Sequence, residues 1–280
     1  MTRRRTATPR QRWVDRDGRE TDEEDRGLVY DVRTLVSRRS ALGLFGALGA
    51  GALVAGCGGT PGSSGSSSSS GELSEVPDET GGPYPGDGSN GVNVLDDSGI
   101  VRSDIRSTFG DADTTTADGV PLTIRLTVRD ASTGDALKGA AVYLWHCDRD
   151  GAYSLYAQGL ENVNYLRGVQ AADDTGTVTF TSIFPACYDG RWPHVHFEVY
   201  AGVANATSAG PIVKTSQIAL PKEACDEVYA TSGYERSVSN VARTSLTSDM
   251  VFADDGGIHQ IASMSGSVSK GYVAALTIGV

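Results

Sequence analysis

The segment Leu122-Thr123-Ile124-Arg125-Leu126-Thr127-Val128 alternates apolar and polar residues without a break, and no other feature limits the fold of this chain as strongly. Successive side chains of an extended strand point to opposite faces, so a period of two describes a strand with one face in a core and one toward water. The signal recurs downstream. Ala140 to Trp145 reads as a second, more buried strand, and Thr177 to Thr181 alternates again after the turn Asp173-Asp174-Thr175-Gly176. Further strands are predicted at His194 to Tyr200, Ile212 to Leu220 and Tyr272 to Val280. Short strands between Gly/Asp turns, with little helical periodicity, predict a mainly β protein built as an antiparallel β-sandwich with few short helices. One such helix is expected at Lys222 to Tyr229, with Pro221 in its first turn.

Upstream of the strands, turn signals crowd together at Pro77, Gly81-Gly82-Pro83, Pro85-Gly86, Asp87-Gly88 and Asn90-Gly91. They predict a long irregular N-terminal arm lying over the sandwich, in which Tyr84 reads as a turn residue or as part of a pocket wall. Composition divides the rest. Residues 1–36 are polar and dense in both signs of charge, and are expected to lack fixed structure. In residues 37–57, Ser37-Arg38-Arg39 precedes a short apolar run rich in Gly and Ala that ends in Leu53-Val54-Ala55-Gly56-Cys57. A charged start, an apolar centre and a small-residue processing site describe an export signal, too short and too rich in glycine for a good membrane span.

Arg38-Arg39 resembles a twin-arginine export signal, and Leu53 to Cys57 resembles the lipobox of bacterial lipoproteins. Together they imply an extracytoplasmic protein held to the membrane by a lipid on Cys57. The competing reading is a buried Ala/Gly helix with an accidental Arg pair. Residues 58–75, with Ser66 to Ser70 uninterrupted, form a flexible Ser/Gly linker, and residues 76–280 form the sandwich domain.

Charge excludes one class of partner. Residues 1–56 hold 11 of the 24 basic and 8 of the 35 acidic residues, so their removal leaves 13 against 27 and a net charge near −14. No basic patch remains to neutralise phosphates, and nucleic acid is not an expected partner. Cys147, Cys187 and Cys225 would then lie in an oxidising compartment, where a disulfide between any two of them would leave one thiol.

The chemistry gathers in Cys187-Tyr188-Asp189-Gly190-Arg191-Trp192-Pro193-His194-Val195-His196-Phe197. On a strand His194 and His196 share a face, so the pair forms a two-nitrogen clamp. The second strand runs into a turn that presents Tyr153 at a sheet end. Two phenols and two imidazoles form a distinctive donor set. Phenolates are hard, anionic donors that favour Fe(III), whereas zinc sites draw on Cys, His and carboxylates. Each residue also has an ordinary reading: His-x-His as cross-strand packing, Tyr153 as a corner residue, Arg191 as an ion-pair partner, Gln217 as a polar strand position. His146 reads as a residue behind the ligands or a packing residue rather than a ligand, His259 as surface, and Asp148 with Asp150 as a turn too short for an EF-hand.

Trp145 to Ser154, Tyr165 to Gln170, Phe184 to Tyr188 and Arg191 to Phe197, taken jointly, resemble the intradiol ring-cleavage dioxygenases, over roughly Glu75 to the C-terminus. The resemblance implies a non-haem Fe(III) enzyme that opens a catechol-type aromatic between its hydroxylated carbons, with O2 as co-substrate and a cis,cis-muconate-type product. It implies Tyr153, Tyr188, His194 and His196 as the metal ligands, with Tyr188 and His196 axial and Tyr153 and His194 equatorial. Tyr188 would be the phenol that leaves the metal as it takes a substrate proton. Arg191 would stabilise charge on the substrate carbons, and Gln217 would hydrogen-bond beside the substrate. Family members often pair subunits through the region of the N-terminal arm, which leaves a homo-oligomer open. A different class of reading is a non-catalytic exported β-sandwich used for binding or adhesion; such a module needs none of the four proposed ligands.

Overall fold

The computed structural model describes residues 73–110 and 114–280. The N-terminal extension, the export signal with Cys57, and all of the linker before Leu73 lie outside the described residues.

Among the described residues eight strands form two four-stranded sheets. The first has the order β4 (Thr177–Ile183), β1 (Pro121–Arg129), β8 (Gly271–Gly279), β7 (Ser263–Ser267), and the second the order β3 (Arg167–Ala171), β2 (Ala141–Trp145), β5 (His194–Tyr200), β6 (Ile212–Ala219). All pairings are antiparallel except β1 with β8, which run parallel. The predicted strands are therefore present, while β3 and β7 are additional. The alternation of β1 does what its period requires: Leu122, Ile124, Leu126 and Val128 face Val142, Leu144, Val195, Phe197 and Val199 in one apolar core between the sheets.

The second sheet is covered on its outer face as well, and this is why every residue of β5 is buried. Val94, Leu95 and Ile100 of the arm pack with Tyr143, Trp145, Val169 and Tyr200. The arm is stitched down along its length: Glu79 N donates to Thr215 O, Arg102 N to Val169 O, and Ile105 N to Thr181 O. It approaches β3 so closely that a Cβ at Gly168 would stand 2.5 Å from Ile105 Cγ2, so only glycine fits there.

Among the described residues three short helices complete the fold: α1 (Val203–Ala206), α2 (Lys222–Tyr229) and α3 (Glu235–Val241). Helix α2 has the predicted limits, with Pro221 just outside it as the extended residue at its N-terminus. Among the described residues no helix is long and apolar enough to cross a membrane. Cys147, Cys187 and Cys225 are buried free thiols, so the anticipated disulfide is not formed. They sit on separate segments, their sulfurs 3.7, 3.4 and 3.8 Å from the carbonyl oxygens of Ala186, Arg191 and Leu220 respectively.

Candidate metal centre and active site

One rung across the second sheet organises the site. Arg167 of β3 pairs with Trp145 of β2, Trp145 with His196 of β5, and His196 with Gln217 of β6. Residues paired across a sheet share a face, so these four side chains stand in a row beneath the arm. His194 lies two residues before His196, at the start of β5, and therefore on the same face at the sheet end. The loop that leaves β2 brings Tyr153 to that end. The loop from β4 to β5 brings Tyr188 and Arg191. Gly151 makes their approach possible: it adopts φ +91°, and a Cβ there would stand 3.2 Å from Tyr188 Cβ.

The four expected donor atoms meet in an unbroken series. Tyr188 OH lies 3.1 Å from His194 Nε2, His194 Nε2 lies 3.1 Å from His196 Nε2, and His196 Nε2 lies 3.2 Å from Tyr153 OH. His194 Nδ1 is 2.6 Å from the Trp192 carbonyl oxygen, which only accepts, so Nδ1 carries the proton and Nε2 presents its lone pair to the other donors. His196 is fixed differently. Its ring stacks on Trp145, with centroids 5.0 Å apart and planes 5° from parallel. Tyr153 is held between rings, 5.0 Å from Tyr84 and 6.1 Å from His196.

Electrostatics keep the imidazoles neutral. Burial, then the Arg191 charge, pushes His194 down to about 3. His196 is held well below its ordinary value by burial, then by His194, Arg191 and Arg167. Burial raises the Tyr153 phenol well above its usual range, so its phenolate forms only against a compensating cation. Two neutral imidazoles and a phenol that needs a cation to ionise fit a Lewis-acidic metal. The spacing fits as well, because donors about 2 Å from a shared ion stand about 3 Å from one another. Among the described residues no group of three or more His, Cys, Asp or Glu could hold a metal.

The guanidiniums that flank the shell are both buried and fully engaged. Arg191 Nε donates to Asp249 Oδ2 at 3.0 Å, and a terminal nitrogen donates to Gln217 Oε1 at 2.7 Å. Gln217 in turn donates to Thr80 O of the arm at 2.9 Å. Burial pushes the Asp249 carboxyl up, but Arg191 and the Trp192 N–H outweigh it and leave it below the ordinary carboxylate range. Arg167 is fully buried and among the described residues has no carboxylate contact; it donates to Ser154 Oγ, Ser154 O, Tyr84 O, Pro85 O and Tyr143 OH at 2.8–3.1 Å. It thereby ties the arm to the residue that follows Tyr153.

All six expected site residues thus come together, Gln217 by way of Arg191. Asp249 and Arg167 were not singled out as functional from sequence: Asp249 lies in a polar stretch with the look of a loop, and Arg167 was one letter of a motif. His146 is the packing residue expected, its Nδ1–H donating to Cys147 O and its Nε2 accepting from Ser182 Oγ, each at 2.7 Å. His259 is partly exposed. Asp148 forms the expected turn, accepting from the backbone N–H groups of Asp150 and Ala152.

Residues 101–206 match the family model described as dioxygenase, a span that contains Tyr153, Tyr188, His194 and His196. Two curated relatives are chlorocatechol 1,2-dioxygenases. That of Pseudomonas putida is 35% identical over 102 residues, covering 30% of this chain and 38% of that protein. That of Rhodococcus opacus is 37% identical over 62 residues, covering 22% and 24%. The chain therefore matches well under half the length of these relatives. Among solved structures, the chain resembles the intradiol ring-cleavage dioxygenase from Tetranychus urticae with a TM-score of 0.51 and 27% identity, over 64% of this chain and 86% of that one. A second dioxygenase structure aligns over 74% of this chain and 94% of its own, with a TM-score of 0.57 and 25% identity. The β-sandwich is thus the fold of intradiol dioxygenases.

Proposed function

We propose that this chain is a non-haem Fe(III) intradiol dioxygenase that opens a catechol-type ring with O2. The observation that carries the reading is the convergence of Tyr153, Tyr188, His194 and His196 through contacts of 3.1–3.2 Å beside two buried guanidiniums. Similarity to intradiol and chlorocatechol dioxygenases supports it independently. Cleavage of the bond between the two hydroxylated carbons takes up both atoms of O2 and gives a cis,cis-muconate-type diacid, so the reaction needs no external reductant.

Tyr153, Tyr188, His194 and His196 would hold the iron. Bound there, ferric iron supplies a Lewis acid for the catechol oxygens and an acceptor for electron density. The chain's own groups divide the rest of the work. Tyr188 is the half-buried phenol of the two, next to the solvent-exposed Asp189 and Gly190, and would be the one to take a catechol proton and turn outward. Tyr153 is buried between Tyr84 and His196 and stays in place. Arg191, aimed by Asp249 and Gln217, presents fixed positive charge to the negative charge that develops on the ring carbons. Trp145 covers one face of His196 and keeps water from it.

The export reading belongs to the same proposal. Arg38-Arg39 and Leu53 to Cys57 support a protein carried out of the cytoplasm and anchored by a lipid on Cys57. The substrate would then be an aromatic met outside the cell. Oxygen uptake by the iron-loaded full chain across a panel of catechols tests the activity. One O2 consumed per ring, with a diacid as product, is the expected result; iron-loaded protein that consumes no O2 with any catechol would overturn it.

A further inference from the structure

Asp249 is fully buried, lies 58 residues from Arg191 in sequence and outside the span matched by the dioxygenase family, and touches two parts of the site at once. Its Oδ2 accepts from Arg191 Nε at 3.0 Å and from the backbone N–H of Trp192 at 2.6 Å. Its Oδ1 accepts from the backbone N–H groups of Val251 and Phe252 at 2.8 and 3.2 Å. The last two contacts lock the carboxylate into its own loop, so it is a rigid acceptor rather than a mobile counter-ion. The first two reach the chemistry. Arg191 gains a fixed orientation from Asp249 on Nε and from Gln217 on a terminal nitrogen. The Trp192 main chain, held at its N–H by Asp249, offers the carbonyl on the other side of the same Cα to His194 Nδ1 at 2.6 Å.

We infer that Asp249 is the positioning residue of this site: one carboxylate that aims the Arg191 guanidinium and, by anchoring the Trp192 main chain, places the carbonyl that sets the tautomer and direction of His194. A carboxylate used only to neutralise Arg191 would not also need the Trp192 N–H. A structural loop cap would need neither. The inference rests on the function proposed above, so the experiment separates the two.

Iron-loaded full chains carrying Asp249→Asn, Arg191→Met and both substitutions are compared with wild type for the rate at which a chelator strips the metal and for kcat and KM with catechol. Asn keeps the size of the side chain and removes its charge. If Asp249 acts through both arms, Asp249→Asn releases metal about 10-fold faster, as loss of a group behind a ligand typically does. Arg191→Met changes release by no more than about 2-fold, because only the His194 arm touches a proposed ligand. In kcat the two substitutions are non-additive: Asp249→Asn lowers it about 10-fold or more in wild type with KM nearly unchanged, and by a clearly smaller factor, that of the His194 arm alone, in the Arg191→Met background. Unchanged metal release, or losses in kcat that simply multiply, would overturn the inference while leaving the dioxygenase reading intact. A wild-type chain that neither retains iron nor consumes O2 would instead overturn that reading. Should Asp249→Asn fail to fold, Asp249→Glu carries the same comparison; it keeps the charge one methylene out of place and is expected to fall between wild type and the losses given for Asn.

Discussion

The Trp145 and His196 rings lie face to face across adjacent strands, 5.0 Å apart and 5° from parallel, in one rung that also holds Arg167 and Gln217. A proposed ligand is thus braced by a sheet rather than by a loop. Replacing Trp145, which is fully buried, with Ala is expected to destabilise the protein by about 3–5 kcal/mol. Trp145→Phe keeps a stacking plane and should cost much less. Denaturant midpoints measure both, and iron retention should fall with Ala more than with Phe.

Arg167 ties Tyr84 and Pro85 to Ser154 through all of its donor nitrogens. The planar fork of a guanidinium reaches these acceptors together, and an ammonium does not. Arg167→Lys is therefore expected to behave almost as badly as Arg167→Met, at about 3 kcal/mol or more of lost stability, because buried carbonyls and hydroxyls lose their donors. Limited proteolysis should cut the arm near Tyr84 in both variants and spare wild type.

Stability should depend on pH in two opposing windows. Burial holds His146 down to about 4 when folded, against an ordinary 6.5. Between those values the unfolded chain binds the extra proton, so stability from this group is present above 6.5 and is lost as pH falls toward 4. Burial, then Asp254 and Asp255, raises Glu79 to about 8 from an ordinary 4.5. Here the folded chain keeps the proton, so stability falls as pH rises from 4.5 to 8. Glu79→Gln should remove the second window and stabilise the protein at pH 8 by at least about 1 kcal/mol, with little effect at pH 4.5. Melting temperatures across pH 4 to 9 check both slopes.

Much of this was legible in the residues themselves. The strands with clean alternation, such as Leu122 to Val128, were readable because one face enters the core and the other does not. Strand β3 was not, since Arg167-Gly168 opens it with a charge and a glycine, both justified only by the arm that lies on them. Strand β7, Ser-Met-Ser-Gly-Ser, is an edge strand with too little apolar content to announce itself. Helix α3, Glu-Arg-Ser-Val-Ser-Asn-Val, lacks an apolar stripe. His194 and His196 were visible from their spacing, and the two tyrosines from motifs. Asp249 was not visible, because its partners at 191 and 192 are brought to it by the fold alone.

The most direct measurement of the proposed iron shell is the visible absorption of the iron-loaded chain. Tyrosinate on Fe(III) gives a charge-transfer band, so wild type should be red-brown. Tyr153→Phe should weaken or shift that band while the sandwich stays folded. Colourless protein at full iron occupancy, or a band indifferent to both Tyr153→Phe and Tyr188→Phe, would contradict the account.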